Sequence, residues 1–261
     1  MKIEIPEFAS KAETIEYLIK NKLELIDLKK SAIKNFIPFG GLVAESGLVS
    51  KALSNEQDTD EVIYRTIVGN TYNWMDSHDD VHLNNVFAVS IKDRNGRIYH
   101  RHDHVPMLTA KVGKFSKVYE QIVNWTDLGV NKVGQTMALL GDSAIKRAYN
   151  NLIFDSYKDG EIDQHSVGMQ YVKIDLAVNN KDNKEEFATW NKYINLLGNQ
   201  DKAIDKGYFW AVKEAKLIEI SCVTDGSNEL TGIYNPSKDS LNIDPPLSSQ
   251  KSTSFYSHFL N

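Results

Sequence analysis

Residues 160–169 read Gly160-Glu161-Ile162-Asp163-Gln164-His165-Ser166-Val167-Gly168-Met169. A glycine stop and a polar stretch are followed by a run that stays largely apolar to Val178. A helix therefore ends near Gly160 and a strand occupies 167–178. Ser166 stands at the mouth of that strand, between the Gly160 turn and Gly168, where a nucleophile could be presented. A serine hydroxyl is unreactive alone and needs a base within hydrogen-bond reach. His165 is adjacent, but strand alternation points it to the opposite face, so the base must come from elsewhere in the chain. A lone Ser-x-Gly also suits a purely structural serine.

Working outward, residues 215–223 form a second strand candidate, Ala215-Lys216-Leu217-Ile218-Glu219-Ile220-Ser221-Cys222-Val223. Glu219 interrupts its apolar run, so it either faces solvent or is buried with a partner such as an imidazole. Residues 62–68 are a strand ended by Gly69-Asn70, and 86–91 a further strand. Asn95-Gly96 is a hairpin-turn signal before the strand-like 97–99. Phe115, Val118, Ile122 and Trp125 fit one helix face; Ala144, Ile145, Ala148 and Leu152 fit another that stops near Gly160. The charged stretch 179–206 is an excursion with a short helix around 190–197.

Upstream, Ser10 and Glu13 have capping-box spacing. Ile15, Ile19, Leu23, Ile26 and Ile33 then recur at helical spacing until Pro38 and Gly40-Gly41. Residues 44–60 are polar and read as a linker. The segment 235–261 holds three of the six prolines and seven serines, too little apolar material for a core. Phe255, Tyr256, Phe259 and Leu260 cluster near its end, as in a docking peptide or self-cleavage region; a terminus without function is equally open. The chain thus divides into a helical extension and linker (1–60), a main mixed α/β domain (61–234) and a flexible tail (235–261).

Thirty basic against 35 acidic residues leave a net charge of −5 in 261 residues. That is not the electrostatic footprint of a dedicated nucleic-acid binder, though a local basic patch is compatible with it. No stretch approaches the roughly 20 apolar residues that span a bilayer. The single cysteine, Cys222, excludes an internal disulfide and multi-cysteine zinc sites. These features point to a soluble protein of a reducing compartment.

Five of the seven histidines, His78, His82, His100, His102 and His104, fall between residues 78 and 104. On a strand, His100, His102 and His104 would share a face. With Asp76, Asp79, Asp80 and Asp103 they could ligate a metal, or supply one tuned general base, or form an exposed polar face.

In chain order these stretches resemble the bacteriophage prohead maturation proteases, capsid-processing serine proteases with a herpesvirus assemblin-like fold. The matching segments are Asp79-Asp80 to Phe87, His102-Asp103-His104 with Val112-Gly113, Gly160 to Gly168, and Leu217 to Val223, covering roughly residues 62–235. Two histidines compete for one slot, and Asp225-Gly226-Ser227-Asn228 replaces the family's proline-alanine. The 10–36 helix has no counterpart in the family core. The resemblance implies an α+β fold with a largely antiparallel, barrel-like core surrounded by helices. It also implies Ser166 as nucleophile and His104 as general base, with His102 as the alternative. Glu219 or another histidine would be the third member. It implies no cofactor and no metal, and capsid and scaffold proteins as substrates inside the assembling prohead in the host cytoplasm. Self-cleavage and a homo-oligomer are further options; a membrane and specific nucleic acid are not expected as partners. Two other readings stand beside it: a non-enzymatic capsid component, and a metal-dependent hydrolase built on the His/Asp cluster at 76–104.

Overall fold

The computed structural model describes residues 5–34, 57–94 and 96–236. Its elements are α1 (Lys11–Lys20), α2 (Lys22–Ser31), β1 (Ile33–Lys34), β2 (Val62–Thr71), β3 (Asp80–His82), α3 (Ala88–Asp93), β4 (Tyr99–His102) and β5 (Lys111–Asn124). They continue with β6 (Gln135–Lys146), α4 (Asn151–Asp159), β7 (His165–Val178), α5 (Lys184–Tyr193), α6 (Gln200–Lys206) and β8 (Tyr208–Cys222). Seven strands form one mixed sheet in the order β1-β7-β8-β4-β5-β6-β2, and β3 adds to β8. Pairing is antiparallel except that β3 and β4 both run parallel to β8. No helix of the described residues is long and apolar enough to cross a membrane.

The sheet is mixed α+β architecture as expected, but it does not close into a barrel. Residues 231–234 occupy the seam instead. Val68 N–H bonds the Gly232 carbonyl, Tyr234 N–H bonds the Thr66 carbonyl, and His165 N–H bonds Thr231 Oγ1. The edge of β2 is thereby covered by a returning loop rather than by another strand.

The inner face of the sheet carries the main core, with Ile67, Phe115, Val167, Leu217 and Ile220 buried together. Leu18 and Leu25 of the N-terminal helices join the same cluster. The Ser10 hydroxyl accepts from Glu13 N–H at 3.3 Å and the Glu13 carboxylate accepts from Ala9 N–H at 3.2 Å, a working cap. The expected single helix is a pair broken at Asn21. That break rotates the apolar stripe: Leu23 is exposed, whereas Leu18 and even Lys29 are buried.

Three sequence expectations are corrected. Residues 111–124 are a strand, not a helix. A bulge between Phe115 and Lys117 shifts the alternation by one, giving Phe115 and Val118 the spacing of three that a helix also produces. Residues 88–93 are helix α3 rather than strand, so the Gly96 turn (φ 74°) joins a helix to β4 and is not a hairpin. Ala144 and Ile145 belong to β6; the following helix starts only after Asn150, whose side chain caps Ile153 N–H, and ends at Gly160 as expected. Most of the 44–60 linker and all but the first residues of the 235–261 tail lie outside the described residues.

Candidate active site

Register builds the site. Ser166 lies opposite Ser221 and Gly168 opposite Glu219 on the β7–β8 ladder. Directly opposed residues share a face, so Ser166, Gly168, Glu219 and Ser221 all point away from the core that takes Val167 and Ile220. Glu219 resolves as the buried alternative, only 1% exposed.

The imidazole arrives by an unusual route. Strand β4 ends at His102, and Asp103 and His104 both adopt left-handed backbone (φ 50° and 55°). Two successive non-glycine residues there cost of order 1–2 kcal/mol each. The turn is anchored by Asp103 N–H to the Cys222 carbonyl (3.0 Å) and His104 N–H to Ser221 Oγ (3.3 Å). It carries His104 off the face expected for an alternating strand and over Glu219. His104 Nδ1 then lies 2.5 Å from Glu219 Oε1. A carboxylate only accepts, so Nδ1 donates to it, and in a neutral ring that assigns the acceptor role to Nε2. Nε2 is buried and has no hydrogen-bond partner among the described residues. The Ser221 hydroxyl donates to Glu219 Oε2 at 2.5 Å, so both carboxylate oxygens are held. A Cβ at Gly168 would stand 2.2 Å from Glu219 Oε1, so only glycine lets the carboxylate lie on the β7 backbone.

His104, Glu219, Ser221 and Gly168 are thus brought together, with Ser166 on the same face one strand away. No side-chain hydrogen bond joins Ser166 to His104 among the described residues. His102 stays apart: its Nδ1 meets Asp103 at 2.9 Å, not Glu219. Ser221 was missed by sequence reasoning, although the carboxylate two residues before it on one strand face was a usable signal.

His100 faces the core and joins a second, fully buried network. His165 Nδ1 lies 2.7 Å from the Thr231 carbonyl and must donate, leaving Nε2 to accept from Tyr157 OH at 2.7 Å. Tyr157 oxygen in turn accepts from His100 Nε2 (3.0 Å), and His100 Nδ1 accepts from Ser143 Oγ (2.8 Å). Every polar atom is used with both imidazoles neutral. Burial pushes His165 down to about 4 against the upward pull of the Thr231 carbonyl. Burial, then the neighbouring His165, holds His100 well below the usual histidine range. A Cβ at Gly113 would meet Ser143 Oγ at 2.6 Å and His100 Nδ1 at 2.9 Å, which explains that glycine.

The expected 76–104 His/Asp cluster is therefore divided. Among the described residues, Asp76, His78 and Asp80 are the group whose ligand atoms lie within 4.8 Å of one another. Asp76 Oδ1 accepts from His78 and Asp80 N–H groups, and its Oδ2 is buried without a hydrogen-bond partner among the described residues. Lysines already supply positive charge here: Lys29 Nζ lies 2.6 Å from Asp80 Oδ1, and Lys206 2.6 Å from Asp79. Tyr171 OH donates to the other Asp80 oxygen at 2.8 Å. A cavity of about 370 Å³ opens on this side, between Phe8, Lys29, His78, Lys206, Tyr208 and Trp210. Asp80 pairs with Trp210, nine residues along β8 from Glu219, roughly 30 Å at strand rise. The histidines of β4 and the aspartates cannot hold one ion between them.

Comparison with protein-family models, curated proteins and solved structures finds no match.

Proposed function

We propose that this chain is a serine endopeptidase with Ser166 as nucleophile, His104 as general base and Glu219 as the group that orients the base. The observation that carries the reading is the His104–Glu219 pair: Nδ1 fixed on a buried carboxylate, Nε2 unpartnered, on the face that presents Ser166. In the reaction, Nε2 takes the Ser166 proton as Oγ attacks the scissile carbonyl. The imidazolium, stabilised by Glu219, then protonates the leaving amine. Water repeats the sequence to release the acyl group. The Ser166–His104 hydrogen bond then forms in the substrate complex, as catalytic hydrogen bonds often tighten only around substrate. The order of motifs supports a prohead maturation protease acting on capsid and scaffold proteins, with His102 as the base should His104 prove dispensable.

Labelling with a fluorophosphonate tests this without knowledge of the substrate. The adduct is expected on Ser166, and to be lost in His104→Ala and strongly slowed in Glu219→Gln. The lack of a Ser166–His104 hydrogen bond favours one rival, a non-enzymatic capsid component. Its signature is a folded chain that the reagent does not label.

A further inference from the structure

The row of outward side chains that contains Ser166 continues across the sheet. Ser221 pairs with Arg101, and Arg101 with Lys111. In the next row Glu219 pairs with Tyr99, Tyr99 with Lys114, and Lys114 with Ala144. Opposed residues share a face, and Lys146 shares that of Ala144 two residues before it. Tyr149 gathers the lysines: Lys111 Nζ donates to its hydroxyl at 3.3 Å, and Lys146 Nζ lies 5.8 Å from its ring centre. The hydrogen bond from Lys111, then the charges of Lys111, Lys146 and Lys114, draw the Tyr149 phenol below its ordinary range.

None of Arg101, Lys111, Lys114 and Lys146 forms an ion pair with an acidic side chain among the described residues. In a chain of net charge −5 this is a concentration of one sign that folding does not require. Two acids beside it are engaged elsewhere, Glu219 by His104 and Ser221, Asp103 by His102. Uncompensated like charges repel one another, and a negative ligand relieves that repulsion. At about 4.8 Å per strand, Arg101 lies roughly 10 Å and Lys111 roughly 15 Å from Ser166. Extended chain covers that distance in about three to five residues.

We infer that this face binds an acidic stretch of the polypeptide substrate, a few residues from the bond held at Ser166, with Arg101, Lys111, Lys114 and Lys146 as its anion contacts. The placement rests on the endopeptidase reading; the charge preference rests on the sheet register. Single-stranded nucleic acid is the lesser fit, because the two rings of the patch are already covered by its own cations, Tyr99 by Arg101 at 5.1 Å and Tyr149 by Lys111 at 4.5 Å.

The test uses the full chain carrying Ser166→Ala, so that nothing is turned over. Fluorescence anisotropy compares a labelled glutamate-rich peptide, its glutamine counterpart of equal length, and an oligothymidylate of equal length. The glutamate peptide is expected to bind about tenfold or more tightly than the glutamine peptide at low salt, with the gap narrowing as salt rises. Lys111→Gln, Lys114→Gln and Lys146→Gln together should close the gap. Equal binding of the two peptides would overturn the inference with no surface variant involved, and tighter binding of the oligonucleotide than of the glutamate peptide would overturn it too. Failure of the native chain to label with fluorophosphonate removes the endopeptidase reading but leaves the peptide difference standing, so the two failures are distinguishable.

Discussion

Ser221 has two tasks at once. Its hydroxyl donates to Glu219 Oε2 and accepts the His104 N–H, tying the carboxylate to the strained turn that delivers the imidazole. Truncating it leaves a buried carboxylate oxygen without a donor, a cost of about 1–3 kcal/mol. Expressed in the reaction barrier, that is a loss of roughly tenfold to a hundredfold. Ser221→Ala is therefore expected to slow fluorophosphonate labelling of Ser166 by that factor, and Ser221→Thr, which keeps the hydroxyl, to restore most of it. A labelling rate unchanged in Ser221→Ala would show that Glu219 needs no second anchor. At this scale the sequence was informative about residue types but not about direction. Ser166, His104 and Glu219 stand out as a presented hydroxyl, an imidazole and a carboxylate inside an apolar strand. The meeting of His104 with Glu219 depends on two left-handed residues that no periodicity encodes. Asp103 tolerates that conformation better than most side chains, which is a weak hint at best.

Among the elements, the long strands β7 and β8 and the helix stop at Gly160 were legible, because apolar runs and a glycine C-cap follow from local chemistry. Strand β5 was not, since its bulge imitates helical spacing, and α3 was not, since a six-residue helix offers less than two turns of pattern. The N-terminal helices read from sequence as an extension, and three of their side chains, Leu18, Leu25 and Lys29, are buried. Lys29 of α2 is 2% exposed, sits 2.6 Å from Asp80 and stacks over Trp210 at 5.1 Å. Removing one partner of a buried ion pair leaves the other charge stranded, at about 3–5 kcal/mol. Lys29→Met should lower the unfolding free energy by that order in denaturant titrations, and adding Asp80→Asn should recover a large part. If the single variant unfolds at the native midpoint, the helices are a detachable extension after all.

For the molecule as a whole, the two candidate networks lie back to back on one sheet, an outward one to which the proposed function gives proton transfer and an inward one whose hydrogen bonds are all satisfied with neutral imidazoles. The inward chain from Ser143 through His100, Tyr157 and His165 to Thr231 carries a pH dependence of stability. Both histidines are neutral in the folded chain, His165 down to about 4 and His100 depressed in the same sense. In the unfolded chain they titrate near 6.5. Between those values the unfolded chain binds protons that the folded chain refuses, so stability is complete above about pH 6.5 and is lost as pH falls towards 4. The slope is up to about 1.4 kcal/mol per pH unit for each histidine. His165→Asn keeps a donor for the Thr231 carbonyl and removes the titrating group. It should unfold earlier at neutral pH, yet lose less stability than the native chain on acidification across that window. Thermal melts of both proteins at intervals through the window measure this directly. Parallel curves would mean that His165 does not titrate between the two states, and would place the acid sensitivity of the fold elsewhere than in this buried chain.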